Sequence, residues 1–175
     1  MYKSILVISL LMLVAACSKT SILQPIKTGH EGEGIPKLSL LLLGNKSFYS
    51  TADLPRGKTN VLFYFSPVCP HCRVQMRTIV DNMHRLKDVQ FTILTIADYP
   101  STRPFYDRYK LNRYSNVAIG IDTGYIFPNY FKIDKVPFLA IYKNGVLKDA
   151  FIGSISFDQL NHEIQSNVIA QSNRP

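Results

Sequence analysis

Apolar residues run almost unbroken from Ile5 to Ala16, and the run stops at Cys17. From Ser18 to Pro36 the chain turns polar, with two Pro and three Gly, which reads as a flexible spacer. Beyond it the pattern is that of a folded unit starting near Ile35. Leu38 to Leu43 forms a short apolar segment, expected as an early strand. Asn60 to Ser66 is rich in β-branched and aromatic residues, which suits a central strand buried on both faces. Met76, Ile79, Val80, Met83 and Leu86 then recur at spacings of three and four, one stripe of a helix. Pro70 falls in the first turn of that helix, where proline is tolerated.

Val89 to Ala97 reads as the next strand, so strand, helix and strand imply a right-handed crossover and a parallel pair. A helix is expected over Ser101 to Leu111, capped by Ser101 or Thr102 with Pro104 in its first turn, and a strand over Asn116 to Ile121. Phe138 to Tyr142 and Val146 to Ile152 flank Asn144-Gly145, a hairpin signal. Ser156 and Gln159 form a capping box for a last helix whose buried stripe is Phe157, Leu160, Ile164 and Val168. The sum is an α/β domain over residues 35–171.

The N-terminal block changes the picture of where this domain works. Lys3 precedes the apolar run and small residues end it, the form of a secretory signal peptide over residues 1–16. The run is too short to span a bilayer, which takes about 20 residues. Val14-Ala15-Ala16-Cys17 resembles the bacterial lipobox, which implies acylation of Cys17 and a lipid-anchored mature chain with a linker over residues 17–34. Ser18 after that cysteine favours the outer membrane over the inner one. The expected location is the periplasmic side of a bacterial envelope. A net charge of +8, spread along 175 residues without a run, fits a basic surface or attraction to anionic lipid and carries no nucleic-acid motif.

Three cysteines are too few for a disulfide scaffold, and two of them form Cys69-Pro70-His71-Cys72. This motif lies between the central strand and its helix. A thiolate is the nucleophile in disulfide exchange, and a helix N-terminus offers unpaired amides and positive dipole charge to it. Cys69 is therefore the expected attacking thiol. Cys72, one turn later and more buried, would resolve the mixed disulfide. Pro70 stiffens the turn, and His71 can add charge or a hydrogen bond. No cofactor or metal is expected beyond the redox-active pair, since zinc normally takes four protein ligands.

The strand–CPHC–helix order, with Val136-Pro137 ahead of an apolar strand and the Lys143-Asn144-Gly145 hairpin, resembles the thioredoxin superfamily. Within it, the chain looks like the TlpA/ResA-like group of exported, membrane-anchored thiol-disulfide oxidoreductases. The resemblance implies a three-layer α/β/α sandwich around a mixed sheet, with a helix-strand insertion between Ser101 and Ile121. It implies a cis peptide bond at Pro137, facing the dithiol, with Val136 offering its backbone to a substrate chain. It implies exported proteins with thiols or disulfides as substrates, and a membrane electron donor or acceptor. The chain departs from the pattern in three places: Val68 stands where a tryptophan is usual, Phe63 replaces thioredoxin's buried acid, and Gln75 replaces the ResA-like glutamate. CPHC is itself the motif of the oxidant DsbA, so the direction of electron flow stays open, with a lean toward reduction.

Two other readings remain. A peroxiredoxin-type peroxidase would use Ser66 near Cys69, but Leu62 stands where that family has proline. A copper-delivery module would use Cys69, Cys72 and a histidine; His84 and His162 are expected on helix surfaces. The stretch Arg103 to Tyr114 reads either as a docking surface or as an amphipathic helix with its aromatic side in the core.

Overall fold

A computed structural model describes residues 22–166. The segment expected as a signal peptide, the lipobox-like Val14-Ala15-Ala16-Cys17 and Val168 lie outside the described residues. Seven strands, β1 Ser39–Leu42, β2 Phe48–Ser50, β3 Thr59–Tyr64, β4 Val89–Thr95, β5 Val117–Asp122, β6 Phe138–Lys143 and β7 Val146–Ile152, form one sheet in the order β2-β1-β5-β4-β3-β6-β7. The β3–β4 and β4–β5 pairs are parallel and the rest antiparallel. The sheet is therefore mixed, as expected. Among the described residues four α-helices accompany it: α1 Pro70–Asp81, α2 Tyr99–Arg108, α3 Ile126–Phe131 and α4 Phe157–Gln165. No helix among the described residues is long and apolar enough to cross a membrane.

Alternation along β3 builds two cores. Val61, Phe63 and Phe65 face one layer, with Met76 and Ile79 of α1, Phe105 of α2 and Leu160 of α4. Leu62 and Tyr64 face the other, with Leu40, Leu94 and Phe127 and Phe131 of α3. Each fully buried side chain of this size contributes about 1.5–3 kcal/mol. Asn144 and Gly145 both take positive φ, 51° and 80°, which closes the β6–β7 hairpin with the twist its strands require. Met83 and Leu86 stay in the core stripe, although α1 has ended and a 3-10 turn, Met83–Arg85, carries on from it.

Several local expectations are corrected. Helix α2 starts two residues early, because the Asp98 carboxylate accepts from the Ser101 amide at 2.8 Å and is the cap; Pro100 takes the first turn and Pro104 lies inside the helix. Ser156 does cap α4, accepting from the Gln159 amide at 3.2 Å. The Gln159 side chain does not complete a capping box; it accepts from the Leu23 amide at 3.1 Å and donates to the Leu23 carbonyl. Helix α3 has no sequence signal of its own. Its first residue follows Tyr125 in the left-handed region, and the Phe127 amide is satisfied at 2.7 Å by buried Asp122 at the end of β5.

The largest correction concerns the expected spacer. Residues 22–34 are fastened along β7. Ile26 donates to the Ala150 carbonyl at 2.8 Å, Gly32 to Leu147 at 2.9 Å, and Leu147 back to Glu33 at 2.8 Å. His30 stacks on Tyr130 with centroids 4.0 Å apart, and Glu33 accepts from the Tyr130 hydroxyl at 2.6 Å. The segment covers the open edge of β7, whose backbone groups would otherwise lack partners.

Gly120 of β5 packs tightly against β1: a Cβ there would lie 2.9 Å from the Leu40 Cβ and 3.0 Å from the Leu41 carbonyl oxygen. Gly120→Ala should therefore force β1 outward and cost about 1–3 kcal/mol, read as a lower urea midpoint with an unchanged slope.

Candidate active site

Strand β3 ends at Tyr64, and Phe65 still bonds to the Leu94 carbonyl at 3.0 Å, so the chain is held to the sheet up to the turn. The Cys69 amide then donates to the Ser66 carbonyl at 3.1 Å. Cys69 is the N-cap of α1 with extended backbone, and Pro70 follows as the first helical residue. A cap side chain faces the free amides of the first turn. Here that side chain is a thiol, and the Cys72 amide points at the Cys69 Sγ at 3.3 Å.

Both cysteines are free thiols, Cys69 half-buried and Cys72 fully buried. Burial pushes the Cys72 thiol up to about 12, with the adjacent Cys69 sulfur adding to the effect. The two positions thus differ: a half-buried sulfur that accepts from one amide, and a sealed one held as thiol.

The Val136-Pro137 peptide bond is cis. The Val136 carbonyl lies 3.7 Å from the Cys69 Sγ, close enough for the thiol to donate to it. Three further contacts seat the first turns of α1. Ser154 Oγ donates to the His71 carbonyl at 2.8 Å, Tyr109 Oη donates to the Arg73 carbonyl at 3.1 Å, and Gln75 Oε1 accepts from the Ile155 amide at 2.8 Å. Arg73 reaches back with Nε and Nη2 to the Pro67 carbonyl, 3.4 and 3.3 Å away. His71 is exposed, and its side chain has no hydrogen bond among the described residues.

The sequence named Cys69, Cys72, Val136 and Pro137, and the fold brings all four together. Ser154 and Ile155 carry no sequence signal, because their role is set by where β7 ends. Tyr109 belongs to the aromatic side of the Arg103 to Tyr114 stretch, which packs inward: Phe105 lies 4.3 Å from Phe65 and 4.8 Å from Tyr109, between ring centroids. His84 and His162 are exposed, as expected. Among the described residues no three His, Cys, Asp or Glu side chains cluster as metal ligands.

Three outcomes follow for the site. In a Cys69→Ser variant, the alkylation rate of Cys72 should rise about tenfold per pH unit from 8 to 10, since its thiolate fraction grows by that factor below its raised value. Cys69 in a Cys72→Ala variant should react far faster at pH 7.5; mass spectrometry after timed iodoacetamide quenching reads both. Gln75→Leu strips the buried Ile155 amide of its acceptor and should cost about 1–3 kcal/mol in a denaturant melt.

No family model and no curated protein matches the sequence. Solved structures do match. A secreted disulfide oxidoreductase of Mycobacterium tuberculosis, homologous to Escherichia coli DsbE, superposes with a TM-score of 0.60 at 20% identity, over 72% of this chain and 92% of that one. StoA from Bacillus subtilis gives 0.55 at 15% identity, over 74% and 97%. The exposed lipoprotein thioredoxin of Streptococcus pneumoniae gives 0.59 at 17% identity, over 74% and 98%. Likeness at this level of identity speaks for architecture, and the architecture of this chain is the thioredoxin fold.

Proposed function

We propose that this protein is an exported, lipid-anchored thiol-disulfide oxidoreductase that acts on protein disulfides through Cys69 and Cys72. The observation that carries the reading is the cap geometry: the Cys72 amide at 3.3 Å from the Cys69 sulfur, beside a cis proline. Cys69 attacks a substrate disulfide and forms a mixed disulfide, releasing one substrate thiol. Cys72 loses its proton and attacks the Cys69 sulfur, releasing the second substrate thiol and closing the Cys69–Cys72 disulfide. Two electrons pass to the substrate, and a membrane donor restores the dithiol. The extended chain of the substrate lies along the Val136 carbonyl, next to Pro137.

The names of the structural neighbours, among them a disulfide oxidoreductase and a lipoprotein thioredoxin, support this class of chemistry and an envelope location. The likeness to the TlpA/ResA-like group supports the reductive direction. The site is built from the two thiols alone, with no cofactor in the proposed cycle. The sequence at Val14-Ala15-Ala16-Cys17 supports the anchor, and Ser18 the outer membrane.

The reduction potential of a fragment lacking Cys17 decides the direction. A reductase should titrate against glutathione buffers at about −270 mV, while a value of about −120 mV would make it an oxidant. Cys72→Ser should accumulate a mixed disulfide with reduced-and-reoxidised insulin substrate, visible on a non-reducing gel. Cys69→Ser should abolish insulin reduction altogether; full activity in that variant would refute the mechanism.

A further inference from the structure

The fastened N-terminal segment fixes where the chain enters the domain. It runs antiparallel to β7, with Ile26 opposite Ala150 and Gly34 opposite Val146. Its N-terminal end therefore lies at the end of the sheet where β7 finishes and β6 begins, Ile152 opposite Phe138. That is the end that carries the dithiol. A Cβ on Gly153 would sit 3.4 Å from the Leu23 Cδ2; the Gly153 amide donates to the Pro137 carbonyl at 2.8 Å; the Val136 carbonyl is 3.7 Å from the Cys69 sulfur. The neighbouring Ser154 holds the His71 carbonyl. Gln159 grips both backbone groups of Leu23, so this entry point is set by hydrogen bonds and packing together.

Only four residues, Ser18 to Ser21, separate Cys17 from Ile22. Whatever their conformation, five Cα steps at full extension span no more than about 18 Å. An acyl anchor at Cys17 would thus hold the dithiol end, and not the opposite Asn144-Gly145 end, close to the bilayer.

The surface at that end fits such a neighbour. Seven large hydrophobic side chains are exposed among the described residues, and six of them gather here. Val68 follows β3, Ile96 follows β4, and Tyr125 and Ile126 follow β5, at the C-terminal ends of the three parallel strands. Val74 lies in the second turn of α1, and Ile22 begins the fastened segment. Only Phe48, on edge strand β2, stands apart. Exposed Arg73 and Arg77 of α1 and Lys135 beside Val136 add positive charge to the same rim. Exposed Asp98 and Asp134 lie at the same end, so Arg73, Arg77 and Lys135 leave a modest cationic excess around the apolar tips, which suits an anionic bilayer whose headgroups attract Lys and Arg while apolar side chains enter the acyl boundary.

We propose that the dithiol end is the membrane-facing end of this protein, apposed to an anionic bilayer surface, so that Cys69 and Cys72 exchange with cysteines presented at that surface. The proposal rests on Cys17 being acylated.

The test uses the full lipidated chain in vesicles of phosphatidylethanolamine and phosphatidylglycerol, three to one, carrying a rhodamine acceptor on a fraction of headgroups. A donor dye is placed on Cys69 in a Cys72→Ala variant. In a second protein it is placed on the new thiol of Asn144→Cys, with Cys69→Ser and Cys72→Ala. Flotation and the mass of the N-terminal peptide establish anchoring first. Energy transfer from position 69 should exceed that from position 144 at least twofold. A chain that carries no acyl group and does not float overturns the anchoring and the orientation together. A chain that floats but gives equal or reversed transfer overturns the orientation alone.

Discussion

Strand β3 is the constraint on which everything else turns. It lies between β4 and β6, is buried on both faces, and supplies side chains to both cores. Because it cannot shift along its axis without moving Val61, Phe63 and Phe65 out of one layer and Leu62 and Tyr64 out of the other, its end is a fixed point. The chain leaves that point through Ser66 and caps α1 with Cys69. The position of the Cys69 sulfur is thus inherited from a strand buried from Asn60 to Tyr64, five residues upstream.

The first turns of α1 are then held from three directions by elements far away in sequence. The β7–α4 connection reaches His71 and Gln75, the end of α2 reaches Arg73, and the cis proline loop closes over Cys69. This seating separates the two thiols chemically. Cys69 stays half-buried with the Cys72 amide donating to its sulfur, while Cys72 turns inward to Met76 and Ile79 and is held as thiol by burial. The familiar acids of related folds are absent, with Phe63 and Gln75 in their places. Gln75 is instead a structural strut, its oxygen committed to the Ile155 amide.

The N-terminal segment joins fold and location. By covering the β7 edge it completes the sheet, and by ending at Leu23 beside Gly153 it brings any anchor upstream to the reactive end. The same polar, Gly-containing residues that read as a spacer make the turns at Gly29 and Gly32, both at φ 84°, that let it follow the edge. Sequence composition could not separate these outcomes, because a spacer and an edge strap need the same permissive residues.

The sequence by itself determined the order of strands and helices wherever the pattern was local. The β3 run, the α1 stripe, the Asn144-Gly145 turn, the Ser156 cap and the cap position of Cys69 each follow from contacts within a few residues, whereas Pro137 was singled out by resemblance and reaches Cys69 only through the fold. Tertiary structure alone decided what depends on residues brought from afar. Helix α3 exists because Asp122 satisfies its Phe127 amide; Gln159 leaves its capping box because Leu23 arrives beside it; residues 22–34 are fastened because β7 presents an unpaired edge. The physical reason is the same in each case. A local pattern fixes which backbone groups find partners nearby, and only the folded chain supplies partners for the groups left over.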